Sequence, residues 1–147
     1  DAFDLVRRFL REGGYRLYPS EISLPLEVSK KTTPTIKHCW NNMGWGYCPT
    51  NIPQWNQRYK VAFALLDDKN EVKKVFVDTQ TDLSTWLKNK PTTYNFDLTL
   101  KGVSVGAYKW AVGLVDTTKD NTIGLRMAVK NNLLDSGWVK LMDITVK

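Results

Sequence analysis

The stretch Tyr94-Asn95-Phe96-Asp97-Leu98-Thr99-Leu100-Lys101 alternates apolar and polar residues without a break. Successive side chains of an extended chain point to opposite faces, so this pattern predicts a strand with one buried and one wet face. The same period recurs on both sides of it. Ile36, His38 and Trp40 share one face of an earlier strand, and Tyr59, Val61, Phe63 and Leu65 share a face of the next. Val72 to Val77 follows the turn residues Asp67-Asp68-Lys69-Asn70, as the return arm of a hairpin does. Gly106 opens the longest strand, with Tyr108, Trp110, Val112 and Leu114 on one side. Ile123, Leu125, Met127 and Val129 form another, and the last runs from Val139 to Val146. Upstream, Ile22, Leu24, Leu26 and Val28 also alternate, but Pro25 lies among them and has no N–H to give, so this is an edge or bulged strand.

About eight strands with turn signals between them and no helix between strands exclude a parallel β-α-β architecture. The expected fold is all-β: an antiparallel β-sandwich, Ig-like or jelly-roll, with a closed barrel as the alternative. Residues 1–12 differ. Phe3, Val6, Phe9 and Leu10 recur at helical spacing before Gly13-Gly14, which predicts a short lead-in helix, a linker from a preceding domain. Residues 13–147 then form a single β-sandwich domain. Residues 82–88 are either one helical turn or a loop.

At 147 residues, 42% hydrophobic and 24% charged, the composition is that of a globular domain, not a disordered tail or fibre. No apolar run is long enough to span a bilayer, so no membrane partner is expected. The chain starts at Asp1 without a signal-peptide pattern, which fits a removed signal or a piece of a larger protein. The 21 Lys and Arg outnumber 15 Asp and Glu. They are scattered, with no run longer than pairs such as Arg7-Arg8, Lys30-Lys31 or Lys73-Lys74, and nucleic acid, which needs a clustered basic stripe, is not expected as a partner.

Six Trp, six Tyr, five Phe and one His tilt the chain toward binding and away from catalysis. A Ser-His-acid triad would have to use His38, and a zinc site would have one His and two Cys to draw on. There is no phosphate loop and no dinucleotide fingerprint. A two-carboxylate glycosidase is open in principle, but such enzymes usually need more chain to build a cleft. The expectation is a non-enzyme. No cofactor is expected; Asp67-Asp68 and Asp116 with Asp120-Asn121 either offer oxygen ligands to a structural calcium ion or are plain turn formers.

Residues 38–58 depart from strand logic. They are rich in Gly, Asn and Pro, yet they hold Trp40, Trp45, Tyr47 and Trp55. Trp40 shares a face with Ile36 and is assigned to the core, as is Trp110; His38 is read as a satisfied, partly buried histidine. Trp45, Tyr47 and Trp55, with amides from Asn42, Asn51, Gln54 and Asn56, have the makings of a sugar platform. Pyranose C–H faces stack on flat rings, and the hydroxyls need groups that both donate and accept. Rigid aromatic anchors also lose little entropy on binding. The competing reading has Trp45 and Tyr47 plugging the end of the sandwich or packing on a neighbouring domain. Cys39 and Cys48 flank a turn-rich segment and either form a disulfide that closes a short loop or stay as two thiols.

Several segments, in order, resemble a family. They are Gly14-Tyr15-Arg16 after the short helix, Asn42-Met43-Gly44-Trp45-Gly46 followed by Pro49, Asp82 to Trp86, and Gly106-Ala107-Tyr108 leading into Leu114-Val115-Asp116. They resemble an uncharacterised Ig-like β-sandwich domain found C-terminal to glycoside-hydrolase-like (β/α)-barrels in bacterial secreted proteins. The resemblance covers about residues 8–147. It implies an extracellular accessory domain, monomeric, with no catalytic residue of its own and a linked catalytic domain in the full-length protein. The Asn-x-Gly-Trp segment belongs to the family pattern, which leaves docking on the barrel open beside sugar binding. The Cys39/Cys48 pair, Tyr47 and Trp55 depart from it. The expected function is therefore a non-catalytic carbohydrate-binding module that attaches a linked glycoside hydrolase to polysaccharide or oligosaccharide. The alternative is a docking domain that packs on a catalytic barrel with no ligand of its own.

Overall fold

The computed structural model describes residues 17–42, 59–82, 91–125 and 133–147. Among these residues there are nine strands and no helix: β1 (Leu17–Ser23), β2 (Glu27–Val28), β3 (Thr35–Asn42), β4 (Tyr59–Leu66), β5 (Val72–Asp78), β6 (Thr92–Asp97), β7 (Gly106–Asp116), β8 (Thr122–Leu125) and β9 (Val139–Val146). One sheet has the order β1-β3-β6 and the other β2-β9-β7-β4-β5, with β8 also paired to β7. Strand β4 occupies one edge of β7 from Lys109 to Asp116. Strand β9 takes the other edge from Gly106 to Val112, and β8 continues it from Leu114 to Asp116. The expected lead-in helix over 1–12 lies outside the described residues.

The expected single strand across Ile22 to Val28 is two strands in different sheets. Strand β1 pairs with β3, bulges between Pro19 and Glu21, and ends at Ser23. Pro25 cannot continue a ladder, and the chain crosses over there. Strand β2 then runs parallel to β9. The crossing is pinned by Trp110 Nε1–H donating to Pro25 O at 3.1 Å, and by Thr145 N donating to Leu26 O at 2.9 Å. This split is why nine strands replace the eight or so expected.

A first strand shared between sheets, with three strands in one and a row of five plus β8 in the other, is the immunoglobulin arrangement A-B-E against A′-G-F-C-C′. A jelly-roll does not order its strands this way. Tyr108, near the start of β7, donates its hydroxyl back to Ser104 O at 2.8 Å, which is the tyrosine corner of such sandwiches.

The core lies between the sheets. Ile36 and Trp40 meet Val61, Phe63, Leu65, Trp110, Val112 and Leu114, all with no exposed surface. Phe63 stacks on Phe96 with centroids 6.2 Å apart. The outer face of the six-stranded sheet is buried too. Ala62, Ala64, Leu66, Ala111 and Val115 have no exposure and pack with Trp138. Double-sided burial makes 59–66 read as a nearly continuous apolar run rather than an alternating one.

Trp138 is held on that outer face by a turn in which Leu134 N donates to Trp138 O at 2.8 Å. A β-carbon on Gly113 would sit 2.8 Å from Trp138 Cε3 and press on Ile123 as well. Gly113→Ala is therefore expected to destabilise the domain by about 1–3 kcal/mol through overpacking. In urea denaturation the midpoint should fall with an unchanged slope; an unchanged midpoint would show that Trp138 is not seated on the sheet.

Candidate functional site

The end of the sandwich where β3 stops and β4 starts holds the polar chemistry of the interior. Period two puts Ile36, His38 and Trp40 on the inner face of β3, and His38 has no exposed surface. Trp40 Nε1 lies 2.7 Å from His38 Nδ1, and His38 Nε2 lies 2.9 Å from Asp78 Oδ2. An indole N–H can only donate, so Nδ1 accepts and carries no proton. The imidazole is then neutral and its Nε2–H donates to the Asp78 carboxylate across the two sheets. Asp78 Oδ1 accepts from Gln80 N at 3.1 Å, so both carboxylate oxygens are used. The imidazole is stacked on Tyr94, with centroids 5.3 Å apart, and meets Phe63 edge-on at 5.1 Å.

The turn after β5 completes this tie. Thr81 is fully buried; its hydroxyl donates to Asp78 O at 2.7 Å and accepts from Val61 N at 3.0 Å. Lys60 Nζ donates to Thr81 O at 2.6 Å, and Asp82 N donates to Tyr94 Oη at 3.3 Å. Burial pulls the Lys60 pKa below the ordinary lysine value, against the opposing pull of the Asp82 and Asp78 carboxylates. Strands β3, β4, β5 and β6, from both sheets, are thus locked together just where the chain leaves β3.

The expected core assignments hold: Trp40 and Trp110 are fully buried, and His38 is a satisfied histidine, more deeply buried than expected. Trp138, just before β9, is 5% exposed. Of the expected sugar-binding residues, Trp45, Tyr47, Asn51, Gln54, Trp55 and Asn56 lie outside the described residues. Asn42 is the last residue of β3, paired with Leu17, and its side chain is likewise not described. The structure therefore gives the two anchor points of that segment, Asn42 and Tyr59, and not the site itself. Cys39 is half-buried on β3, while Cys48 is outside the described residues.

The acids nominated as calcium ligands serve turns. Asp67 Oδ1 accepts from Lys69 N and Glu71 N, both at 2.9 Å, with Asn70 in the left-handed region at φ 63°. Asp116 Oδ1 accepts from Thr118 N at 2.9 Å and Thr118 Oγ1 at 2.6 Å. Asp120 and Asn121 both have φ 56°, and Thr122 N donates to Lys119 O at 3.2 Å. Two successive positive φ angles define a type I′ turn, which favours Asn and Asp. Among the described residues no three His, Cys, Asp or Glu converge as a metal site would require.

A motif that the search of the sequence for a nucleophile elbow missed is Gly102-Val103-Ser104-Val105-Gly106, a match to the pattern Gly-x-Ser-x-Gly. Its context differs from an elbow. It leads into strand β7 rather than from a strand into a helix. Ser104 sits at the opposite end of the sandwich from the buried His38.

No family model and no curated protein matches the chain. Solved structures with similar folds include a CARDB domain from Pyrococcus furiosus, crystallised with di-metal ions, at 19% identity and a TM-score of 0.43; the match covers 90% of this chain and 94% of that one. Beta-glucosidase from Listeria innocua, solved with glucose, matches at 13% identity and 0.46, over 90% of this chain and 16% of the enzyme. A Niemann-Pick type C2 protein from the Japanese carpenter ant matches at 4% identity and 0.47, over 92% and 96%. The Ig-like assignment rests on the strand order and the tyrosine corner rather than on these likenesses.

Two outcomes follow from the site geometry. Trp40→Phe keeps a ring but removes the N–H, leaving a buried acceptor on His38; a loss of about 1–3 kcal/mol is expected in thermal or urea unfolding. Imidazole nitrogen shifts at neutral pH should show an unprotonated Nδ1, and a protonated Nδ1 would contradict the assignment. For Asp67, the Glu71 amide foremost and Lys69 and Lys73 besides hold the carboxyl below its ordinary value of 3.8. A depressed carboxyl pKa contributes stability above the unfolded value that is lost as pH falls through the folded one. Asp67→Asn should therefore flatten the acid limb of the stability–pH curve; an unchanged limb would show that the turn bonds are not made in solution.

Proposed function

We propose that the chain is a non-catalytic carbohydrate-binding module of a secreted bacterial protein, acting as a monomer and holding polysaccharide beside a linked glycoside hydrolase. Tethering of that kind raises the effective concentration of substrate at the enzyme without any new catalytic group. The observation that supports this reading most is the placement of one segment. Residues 43–58 carry Trp45, Tyr47 and Trp55 among Asn51, Gln54 and Asn56. They join β3 of one sheet to β4 of the other at the end braced by the Trp40–His38–Asp78 chain. Trp40, Phe63 and Trp110 fill the interior among the described residues. Amides and rings in one segment suit the mixed surface of a glycan.

A docking role without a ligand is the competing reading. Leu26 and Val105, 64% and 67% exposed, are apolar surface available to it at the other end. Affinity electrophoresis against a panel of plant polysaccharides separates the two. Retardation by at least one glycan is expected, and a folded domain that no glycan retards would refute the proposal. Trp45→Ala and Trp55→Ala should each weaken binding by about tenfold or more, as loss of a central aromatic anchor does, with the unfolding transition unchanged. Unaltered affinity in both would remove the segment from the site.

A further inference from the structure

Two turns flank the point at which the chain enters β4, and both are built in the same way. Strand β7 ends at Asp116 opposite Tyr59, and strand β5 ends at Asp78 opposite Val61, on the two edges of β4. Each strand thus closes on an aspartate that is almost wholly buried, at 3% and 1% exposure. Each carboxylate is turned onto the backbone that follows it. Asp116 Oδ1 accepts from the Thr118 amide at 2.9 Å, and Asp78 Oδ1 from the Gln80 amide at 3.1 Å. Asp116 O accepts from Lys119 N at 3.1 Å, and Asp78 O from Thr81 N at 3.2 Å. The first turn is closed again by Thr122, whose amide and hydroxyl both donate to Lys119 O.

The tips carry different chemistry from these braces. Thr79, Gln80, Lys119 and Asp120 are exposed, and Asn121 is half-buried. Among the described residues no hydrogen bond or ion pair engages the side chains of these five. The buried acids hold the backbone, so the tip side chains have no part in holding the turns. Strands β5 and β7 stand on either side of β4, which puts the turns about 10 Å apart. That gap is on the scale of a short oligosaccharide. In the immunoglobulin arrangement 43–58 is the B–C connection and 117–121 the F–G connection, and these share one end of the sandwich.

We propose that the turns at 79–80 and 117–121 are fixed walls of the glycan site, that Gln80, Lys119 and Asn121 bond sugar hydroxyls directly, and that the ligand is a neutral glycan. The proposal rests on the reading of the domain as a glycan binder and adds contacts from outside the 43–58 segment. The amides of Gln80 and Asn121 donate and accept, as a hydroxyl requires, and the Lys119 ammonium donates. Lys119 and Asp120 are neighbours of opposite charge, and Thr79, Gln80 and Asn121 are uncharged. The tips therefore hold no net charge to draw a uronate or a sulfate ester. Turns that are already in place before the ligand arrives cost little ordering entropy on binding. Groups placed to bond a particular hydroxyl reject a sugar that lacks it, because they are then left unpaired. The turns, rather than the rings, set which sugar is accepted.

Affinity electrophoresis of the whole chain in mixed-linkage β-glucan, xyloglucan and glucomannan, beside polygalacturonate, tests this. Retardation is expected in at least one of the three neutral glycans. Gln80→Ala, Lys119→Ala and Asn121→Gly should each weaken it by about three- to tenfold, the weight of one hydrogen bond. Glycine keeps the left-handed backbone that Asn121 adopts at φ 56°, so the turn survives that change. Lys69→Ala, on the turn at the far end of β4, should change nothing. Amide chemical shifts of the unaltered chain, titrated with oligosaccharide fragments of the same glycan, give a readout that no variant's folding affects; they are expected to move at Gln80, Lys119 and Asn121. Unchanged affinity in the three variants, or shifts that spare both turns, would overturn the proposal, and the proposed function stands if Trp45→Ala and Trp55→Ala still weaken binding. Retardation by polygalacturonate alone would overturn the neutral ligand and leave the proposed function standing. If no glycan retards a folded domain, both readings fall.

Discussion

Trp40, His38 and Asp78 form a continuous line of donors and acceptors through the interior, from β3 in one sheet to the end of β5 in the other. A polar line in a dry core is costly when any member is unsatisfied and close to neutral when all are paired. Here the pairing is complete: the indole has an acceptor, the imidazole has both a donor and an acceptor, and the carboxylate has His38 and the Gln80 amide. A neutral bond of this kind adds about 0.5–1.5 kcal/mol net and one to a carboxylate about 1.5–3. Their larger effect is on specificity. Apolar faces of two sheets can slide, but a sandwich in any other register would strand a carboxylate or an indole N–H without a partner.

That constraint organises the rest of the molecule. The turn at 78–82 is held by Thr81 and Asp78, Lys60 is drawn onto the Thr81 carbonyl, and Tyr94 reaches the Asp82 amide. The chain thus leaves β3 and enters β4 from a rigid frame. A binding segment gains from such a frame because fixed ends lower the entropy lost on binding. At the opposite end the hairpin turn at Asp67 and the tyrosine corner at Tyr108 are held just as locally, but β4 stops short of β7 and leaves a gap. One end of the sandwich is closed by polar ties through the core, and the other is open at the surface.

Much of the fold was legible because the buried residues alternate. Strands β3, β6, β7 and β9 each have one inner face of large side chains, and the Asp67–Asn70 turn has residues that tolerate its geometry. Two features were not legible. The run Ile22 to Val28 keeps its alternation across Pro25, and only the ladder reveals that it changes sheets there. In β4 the second buried face is built from Ala62 and Ala64, which carry too little hydrophobic signal to mark a covered surface until Trp138, more than 70 positions on, is placed over the neighbouring strand. The site divides similarly. His38 was recognisable as an inward residue, but Asp78 lies 40 positions away, and no local pattern joins them. The Trp-rich segment stood out because bulky rings are uncommon in Gly- and Pro-rich stretches. Its side-chain arrangement is not encoded in any periodicity, and the aromatic count alone would have pointed equally at Trp40 and Trp110, which the core absorbs.

Tryptophan fluorescence under glycan titration separates a sugar-binding 43–58 segment from one that only docks. Trp40, Trp110 and Trp138 are buried at 0%, 0% and 5% exposure and are sealed from a ligand at the surface. Trp45 and Trp55 are the rings assigned to sugar. A saturable blue shift is expected with at least one soluble polysaccharide, abolished in the Trp45→Ala/Trp55→Ala double variant while the near-ultraviolet circular dichroism of the core is retained. A spectrum that no polysaccharide moves, or a shift that survives the double variant, would contradict it.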